Sequence, residues 1–105
     1  SDFRELALLV AKYFTTYQQA TKASAEQVLD LLQATDAFRR EERFNHFLQV
    51  VEIASGQSAS SEFLQKCFAA AKSIDIKKIL AEKLPGKEIE KRIREERLKQ
   101  LEKLC

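Results

Sequence analysis

Apolar residues recur along this chain at spacings of three and four, which is the period of one face of an α-helix. The clearest stripe is Phe44, Phe47, Leu48 and Val51, at i, i+3, i+4 and i+7. Similar stripes predict six helices, over about 3–20, 24–35, 37–54, 61–74, 76–80 and 87–104. The chain is therefore predicted to be all-α, a compact bundle of about six short helices.

The residues at the predicted helix ends favour these boundaries. Side chains that can cap a helix start are Ser24 with Gln27 in a capping box, Asp36, Ser60 or Ser61, and Asp75. Gly56 is predicted to end the third helix, and Pro85 with Gly86 breaks the chain before the last one. The first helix is apolar around so much of its girth that we expect it to pack on two sides.

Composition agrees with a small helical unit. The chain has 105 residues, 45% apolar and 32% charged, with two glycines and one proline, so it has few residues for tight β-turns. It contains no methionine, so we expect an excised fragment of a longer protein. Cys67 and Cys105 are predicted to be free thiols in a reducing, cytoplasmic setting. No apolar run of 18 residues and no signal peptide is present in the sequence, so no membrane partner is predicted.

Charge is unevenly distributed along the chain. The net charge is +2, but residues 1–56 carry −2 and residues 57–105 carry +4. The basic second half is therefore a candidate surface for an anionic partner. The alternative is an ordinary solvated surface, in which acids and bases pair along each helix.

The sequence offers little for catalysis. His46 is the only histidine, so neither a metal site built from several imidazoles nor a supported cysteine–histidine pair is available. Gly56 and Gly86 are isolated, so no glycine-rich phosphate loop exists. We predict no catalytic residue, no metal ligand and no cofactor in this chain.

Two groups of basic residues remain as candidates for contact with a nucleic-acid backbone, which lysine and arginine bind by charge. The candidate RNA-binding residues are Arg39, Arg40, Arg43, Lys87, Lys91, Arg92, Arg94 and Arg97. The alternative for the last helix is a set of ordinary surface pairs such as Glu90 with Arg94.

The order of three segments resembles a known family. LALLVAKY, then LDLLQATDAFRREERF, then LPGKEIEKRIREERLKQL are similar to the C-terminal region of bacterial CCA-adding enzymes. These are tRNA nucleotidyltransferases of the poly(A)-polymerase-like class that also carry a histidine-aspartate phosphohydrolase domain. The chain departs from the family at Glu41, where proline is usual, and at YFTTYQQ and EIASGQSAS, where family histidines and an Ala-Asp-x-Arg-Gly turn are missing.

The resemblance implies a division of labour. Residues 1–35 would end the phosphohydrolase-like helical region and residues 36–105 would form the helical tRNA-binding tail, in one compact unit. The catalytic carboxylates and the nucleotide site would lie upstream, where the parent adds CCA to the tRNA 3′ end from CTP and ATP with Mg²⁺. This chain would not be an enzyme itself, and its partners would be tRNA and the upstream domains.

A rival interpretation is a helical protein-interaction or homodimerisation module with no role in RNA binding. The wide apolar face of the first helix and the long charged last helix suit that interpretation too. Salt-sensitive binding of RNA separates the two.

Overall fold

The helical prediction is confirmed by a computed structural model, which describes residues 2–105. This range holds six α-helices and one 3₁₀ turn, and it contains no strand. The helices are α1 (Asp2–Gln18), α2 (Ala25–Ala34), α3 (Glu41–Ser55), α4 (Ala59–Lys72), α5 (Ile76–Ala81) and α6 (Gly86–Glu102), with the 3₁₀ turn at Ala20–Lys22. The first and last helices each end two residues before the predicted position.

Packing divides the helices into two neighbouring groups around one core. α1 lies mainly against α3, whereas α6 lies across α4 and α2. The largest fully buried side chains in this core are Tyr17, Phe44, Phe47, Leu29, Leu31, Leu32, Leu64 and Leu101. The shortest dimension is 17 Å, which is about two helix layers. A molecule this flat exposes one face of nearly every helix.

Three predicted helix ends are confirmed. Ser24 Oγ accepts a hydrogen bond from the Gln27 N–H at 3.2 Å, and Gln27 Oε1 accepts one from the Ser24 N–H at 3.0 Å, completing the capping box. Asp75 Oδ1 accepts from the Lys78 N–H at 3.0 Å and starts α5. Gly56 ends α3 with a φ of 73°, in the left-handed region that favours glycine.

Two predicted caps are wrong. Asp36 does not cap the third helix, because it has a φ of 57° in a turn and α3 begins five residues later. Ser60 and Ser61 do not cap the fourth helix, since both lie inside α4 and are buried. Ser60 Oγ instead donates to Gln57 Oε1, in the loop just before α4, and Ser61 Oγ hydrogen-bonds to the hydroxyl of Tyr17 on α1.

The first helix packs less completely than its apolar girth predicts. Phe3 and Leu8 are 82% and 64% exposed, so one side of α1 is open within the part of the chain described here. Every helix in residues 2–105 is too short or too polar to cross a lipid bilayer.

Candidate nucleic-acid interface

The turn between α2 and α3, residues 35–40, sets the position of Phe38. Asp36 adopts the left-handed conformation, which aspartate tolerates better than most residues, and its carbonyl accepts the Arg40 N–H at 2.7 Å. The turn directs Phe38 onto the core, where its ring centroid lies 5.6 Å from that of Phe68. Phe38 thus anchors this segment to the core.

Arg97 of α6 lies over the face of the same aromatic ring. Its guanidinium carbon is 3.7 Å from the centroid of Phe38, within the range of a cation–π contact. Arg97 Nε is buried and has no hydrogen-bond acceptor among the described residues. Burial lowers the pKa of Arg97, but an arginine remains charged at any physiological pH.

An open groove of about 600 Å³ runs along α6 beside this contact. Its walls are formed by Gln33, Lys87, Glu90, Lys91, Ile93, Arg94 and Arg97. Lys87, Lys91 and Arg94 follow each other at spacings of four and three, so they share one face of the helix. Four of the seven lining residues are basic and one is acidic, which gives the groove a local excess of positive charge.

Arg94 links α6 to the neighbouring helix α2. Its guanidinium donates to Gln33 Oε1 at 3.1 Å and to Asp30 Oδ1 at 3.5 Å, both on α2. The surface pair with Glu90 that the sequence suggested is thus replaced by contacts between helices. Lys87 and Lys91 are exposed and form no ion pair within residues 2–105. Their ammonium groups are available to a ligand.

Arg92 has its charge offset by two glutamates. It forms ion pairs with Glu96 and with Glu82, the latter at 3.5 Å. The hydrogen bond to Glu96 is the main cause that raises the pKa of Arg92, and the same bond lowers the pKa of Glu96. Of the five α6 residues predicted to bind RNA, Arg92 is the one that does not line the groove.

The three arginines near the start of α3, Arg39, Arg40 and Arg43, do not form one continuous patch. The predicted third helix would have placed Arg39 and Arg43, four residues apart, on one face. Because α3 begins at Glu41, Arg39 lies in the turn and shares no helix face with Arg43. Arg39 has a side chain 81% exposed and pairs with Asp36 at 3.2 Å. Arg43 is only 22% exposed and pairs with Glu5 of α1 at 3.2 Å.

Arg40 and Arg43 line a second cavity, between the start of α3 and α1. Its volume is about 300 Å³, and its other lining residues are Phe3, Leu6, Glu42 and His46. It shares no lining residue with the α6 groove among residues 2–105. The eight predicted residues therefore fall into the groove, the turn at Arg39, this second cavity and the paired Arg92.

Sequence reasoning missed two contributors to the groove. Gln33 looked like an ordinary polar residue at the end of α2, and nothing in the sequence marked it as a partner of Arg94. The stack of Arg97 on Phe38 joins residues 59 positions apart, which no helical period links. Among residues 2–105, no group of three or more His, Cys, Asp or Glu side chains converges as a metal site would require.

Relatives of known name match nearly the whole chain. A CCA-adding enzyme of Pseudomonas putida is 35% identical over 106 residues, covering 96% of this chain and 29% of the enzyme. A multifunctional CCA protein of Pseudomonas syringae pv. syringae is 33% identical, covering 95% of this chain and 26% of that protein. A CCA-adding enzyme of Coxiella burnetii is 30% identical over 99% of this chain and 28% of the enzyme. No family model and no solved structure matches.

This chain thus spans less than a third of the length of the curated relatives it matches. The resemblance that the sequence motifs indicated is confirmed.

Proposed function

We propose that this chain, which is related over nearly its whole length to the C-terminal part of bacterial CCA-adding enzymes, is a non-catalytic element that binds and positions tRNA. The proposal extends to the whole protein, which would add CCA to the tRNA 3′ end in the cytoplasm from CTP and ATP with Mg²⁺. Residues 1–35 would complete the helical region upstream, and residues 36–105 would hold the tRNA. The element would contribute binding energy and orientation rather than bond-making.

The observation that carries this proposal is the basic groove along α6. Lys87, Lys91 and Arg94 stand on one face over about 10 Å of helix, at 1.5 Å per residue. Charged side chains spaced in this way can follow a phosphate backbone without reading bases. The groove is open and shallow, which suits a backbone segment better than a small enclosed metabolite.

A charge-matched pair of variants tests the proposal. The groove variant is Lys87→Gln, Lys91→Gln and Arg94→Gln, and the control is Lys66→Gln, Lys77→Gln and Lys78→Gln, three exposed lysines outside the groove. Binding of tRNA is measured from low salt to about 200 mM salt for both variants and for the unmodified chain.

The expected result is a steep salt dependence for the unmodified chain that the groove variant largely loses. Three lost phosphate contacts should reduce the slope of log K against log salt by about two to three units, at roughly 0.7–0.9 per phosphate. The control should change the slope by much less. Equal losses in both variants, or no binding by the unmodified chain at low salt, would contradict the proposal.

A second candidate function rests on the open side of α1. Phe3 and Leu8 are exposed apolar residues on a helix that packs against α3 with its other side. Such a surface suits a protein partner, either an upstream domain of the same chain or a second copy. Sedimentation of the chain across concentrations distinguishes these partners, because a homodimer should dissociate on dilution and on the change Leu8→Glu.

A further inference from the structure

We propose that Phe38 is a positioning residue for RNA, because its ring holds the guanidinium of Arg97 in the orientation that contacts a backbone phosphate. This inference rests on the proposed function of the α6 groove. It assigns a specific role to an aromatic residue that the charge pattern alone does not mark as part of the site.

The first support is the fixed position of the ring. Phe38 is held from the chain side by the left-handed turn at Asp36 and from the core side by Phe68, whose ring lies at an angle of 42° to it. Phe68 is itself nearly buried and contacts Phe44, with centroids 5.2 Å apart. The Phe38 ring beneath Arg97 is therefore held against the packed core and is not a mobile surface ring.

The second support is that, among residues 2–105, no polar side chain holds Arg97 in place. Within residues 2–105 it forms no ion pair and no hydrogen bond, and its buried Nε has no acceptor. The close contact with Phe38 is thus the specific interaction that the guanidinium makes there, and we infer that it sets the orientation of the group. Arg94, one turn earlier in α6, differs because it is held by two side chains of α2.

The third support is the chemistry of a stacked guanidinium. Stacking occupies the flat face of the group and leaves N–H donors at its edge, which is the geometry that phosphate oxygens accept in pairs. Arg97 lines the groove beside Arg94, so this edge lies on the surface proposed to follow the RNA backbone. An arginine oriented before binding loses less conformational freedom when the phosphate arrives.

A double-mutant cycle tests the inference with the whole 105-residue chain. The variants are Phe38→Leu, Arg97→Ala and the two combined, with Phe14→Leu as a matched control. Phe14 is also a partly buried phenylalanine at the edge of the core, on α1. Affinity for tRNA is measured as a function of salt, and thermal unfolding is recorded for each variant.

Phe38→Leu should weaken tRNA binding about threefold to tenfold, which lies within the roughly twofold to thirtyfold range of a cation–π contact. In the Arg97→Ala background the same change should have almost no further effect, because the residue that Phe38 orients is absent. Phe14→Leu should leave affinity unchanged even if it lowers the unfolding temperature. Equal effects of Phe38→Leu with and without Arg97 would overturn the inference.

A measurement without RNA keeps this inference separate from the proposed function. In ¹H–¹⁵N spectra of the arginine Nε–H groups, the ring of Phe38 should shift the Arg97 signal upfield, and Phe38→Leu should return it to the position of an exposed arginine. An Arg97 signal already at that position in the unmodified chain would show that the stack does not form, and the inference would fail. If the stack is seen but the chain does not bind tRNA, the proposed function is wrong, and the positioning role that rests on it is wrong as well.

Discussion

Replacing Tyr17 by phenylalanine should destabilise the whole chain, because its hydroxyl joins α1 to the start of α4. The hydroxyl lies 2.8 Å from the carbonyl oxygen of Gln57 and 2.7 Å from Oγ of Ser61. Ser61 Oγ also lies 3.2 Å from Oε2 of Glu52. Tyr17 is fully buried, so water cannot replace its hydroxyl without a change in packing.

The magnitude follows from counting protons in this network. Tyr17 and Ser61 carry one hydroxyl proton each, so two hydrogen bonds can form at a time among three short contacts. After Tyr17→Phe only Ser61 can donate, and Gln57 keeps a longer 3.5 Å contact with Ser55. The loss is one buried hydrogen bond and one poorly satisfied carbonyl, which together cost about 1–2 kcal/mol. For a domain of this size the midpoint of thermal unfolding should fall by about 5–10 °C.

Thermal unfolding followed by circular dichroism at 222 nm measures this change, with Tyr13→Phe as the control. Tyr13 is half-buried on the same helix, and its hydroxyl makes no hydrogen bond within residues 2–105. Its replacement should move the midpoint little. If both variants unfold at the same temperature, the network contributes nothing and the reasoning is wrong. A single transition is also expected, since the network joins segments on both sides of position 36.

Two further measurements test local features. Gly56→Ala should destabilise the chain by about 1 kcal/mol in urea unfolding, because a φ of 73° strains any residue with a Cβ. The cost should be no larger, since the added Cβ meets no atom within 4 Å. Gly86→Ala at the start of α6 has equal space and no positive φ, so it should be neutral or slightly stabilising. Burial raises the pKa of Cys67 to about 12, above the roughly 8.5 of an unfolded thiol. Stability should therefore decline as pH rises from about 8.5 towards 12, and Cys67→Ala should remove that part of the decline in urea midpoints.

Helix positions were predictable where the signal was local. The stripe of α3, the capping box at Ser24 and the left-handed glycine at position 56 each depend on residues within one turn of one another. Asp36 and Ser61 carried the same local signal as true caps, and both predictions failed. Asp36 is drawn into a left-handed turn that places Phe38 on the core, and the hydroxyl of Ser61 reaches Tyr17 from inside α4.

The candidate site was predictable in composition but not in arrangement. The sequence identified the basic residues of α6, since their period on one helix is visible in the letters. It paired Arg94 with Glu90 of the same helix, whereas the structure pairs it with Asp30 and Gln33 of α2. Contacts between helices depend on how the helices cross, and a single sequence does not specify the crossing.

The predicted RNA-binding residues differ in the ion pairs that a bound phosphate would have to displace. Lys87 and Lys91 take part in no ion pair among the described residues, so they would bind a phosphate without losing an ion pair. Arg39 is highly exposed, and its surface pair with Asp36 contributes little, so a phosphate would replace that carboxylate at small cost. Arg43 is mostly covered and pairs with Glu5 of α1, so a phosphate would have to reach a covered side chain and displace that carboxylate. We therefore expect most of the affinity for tRNA to come from the α6 groove, with one further contact from Arg39 beside Phe38. Arg43 is expected to contribute to the stability of the fold and not to binding.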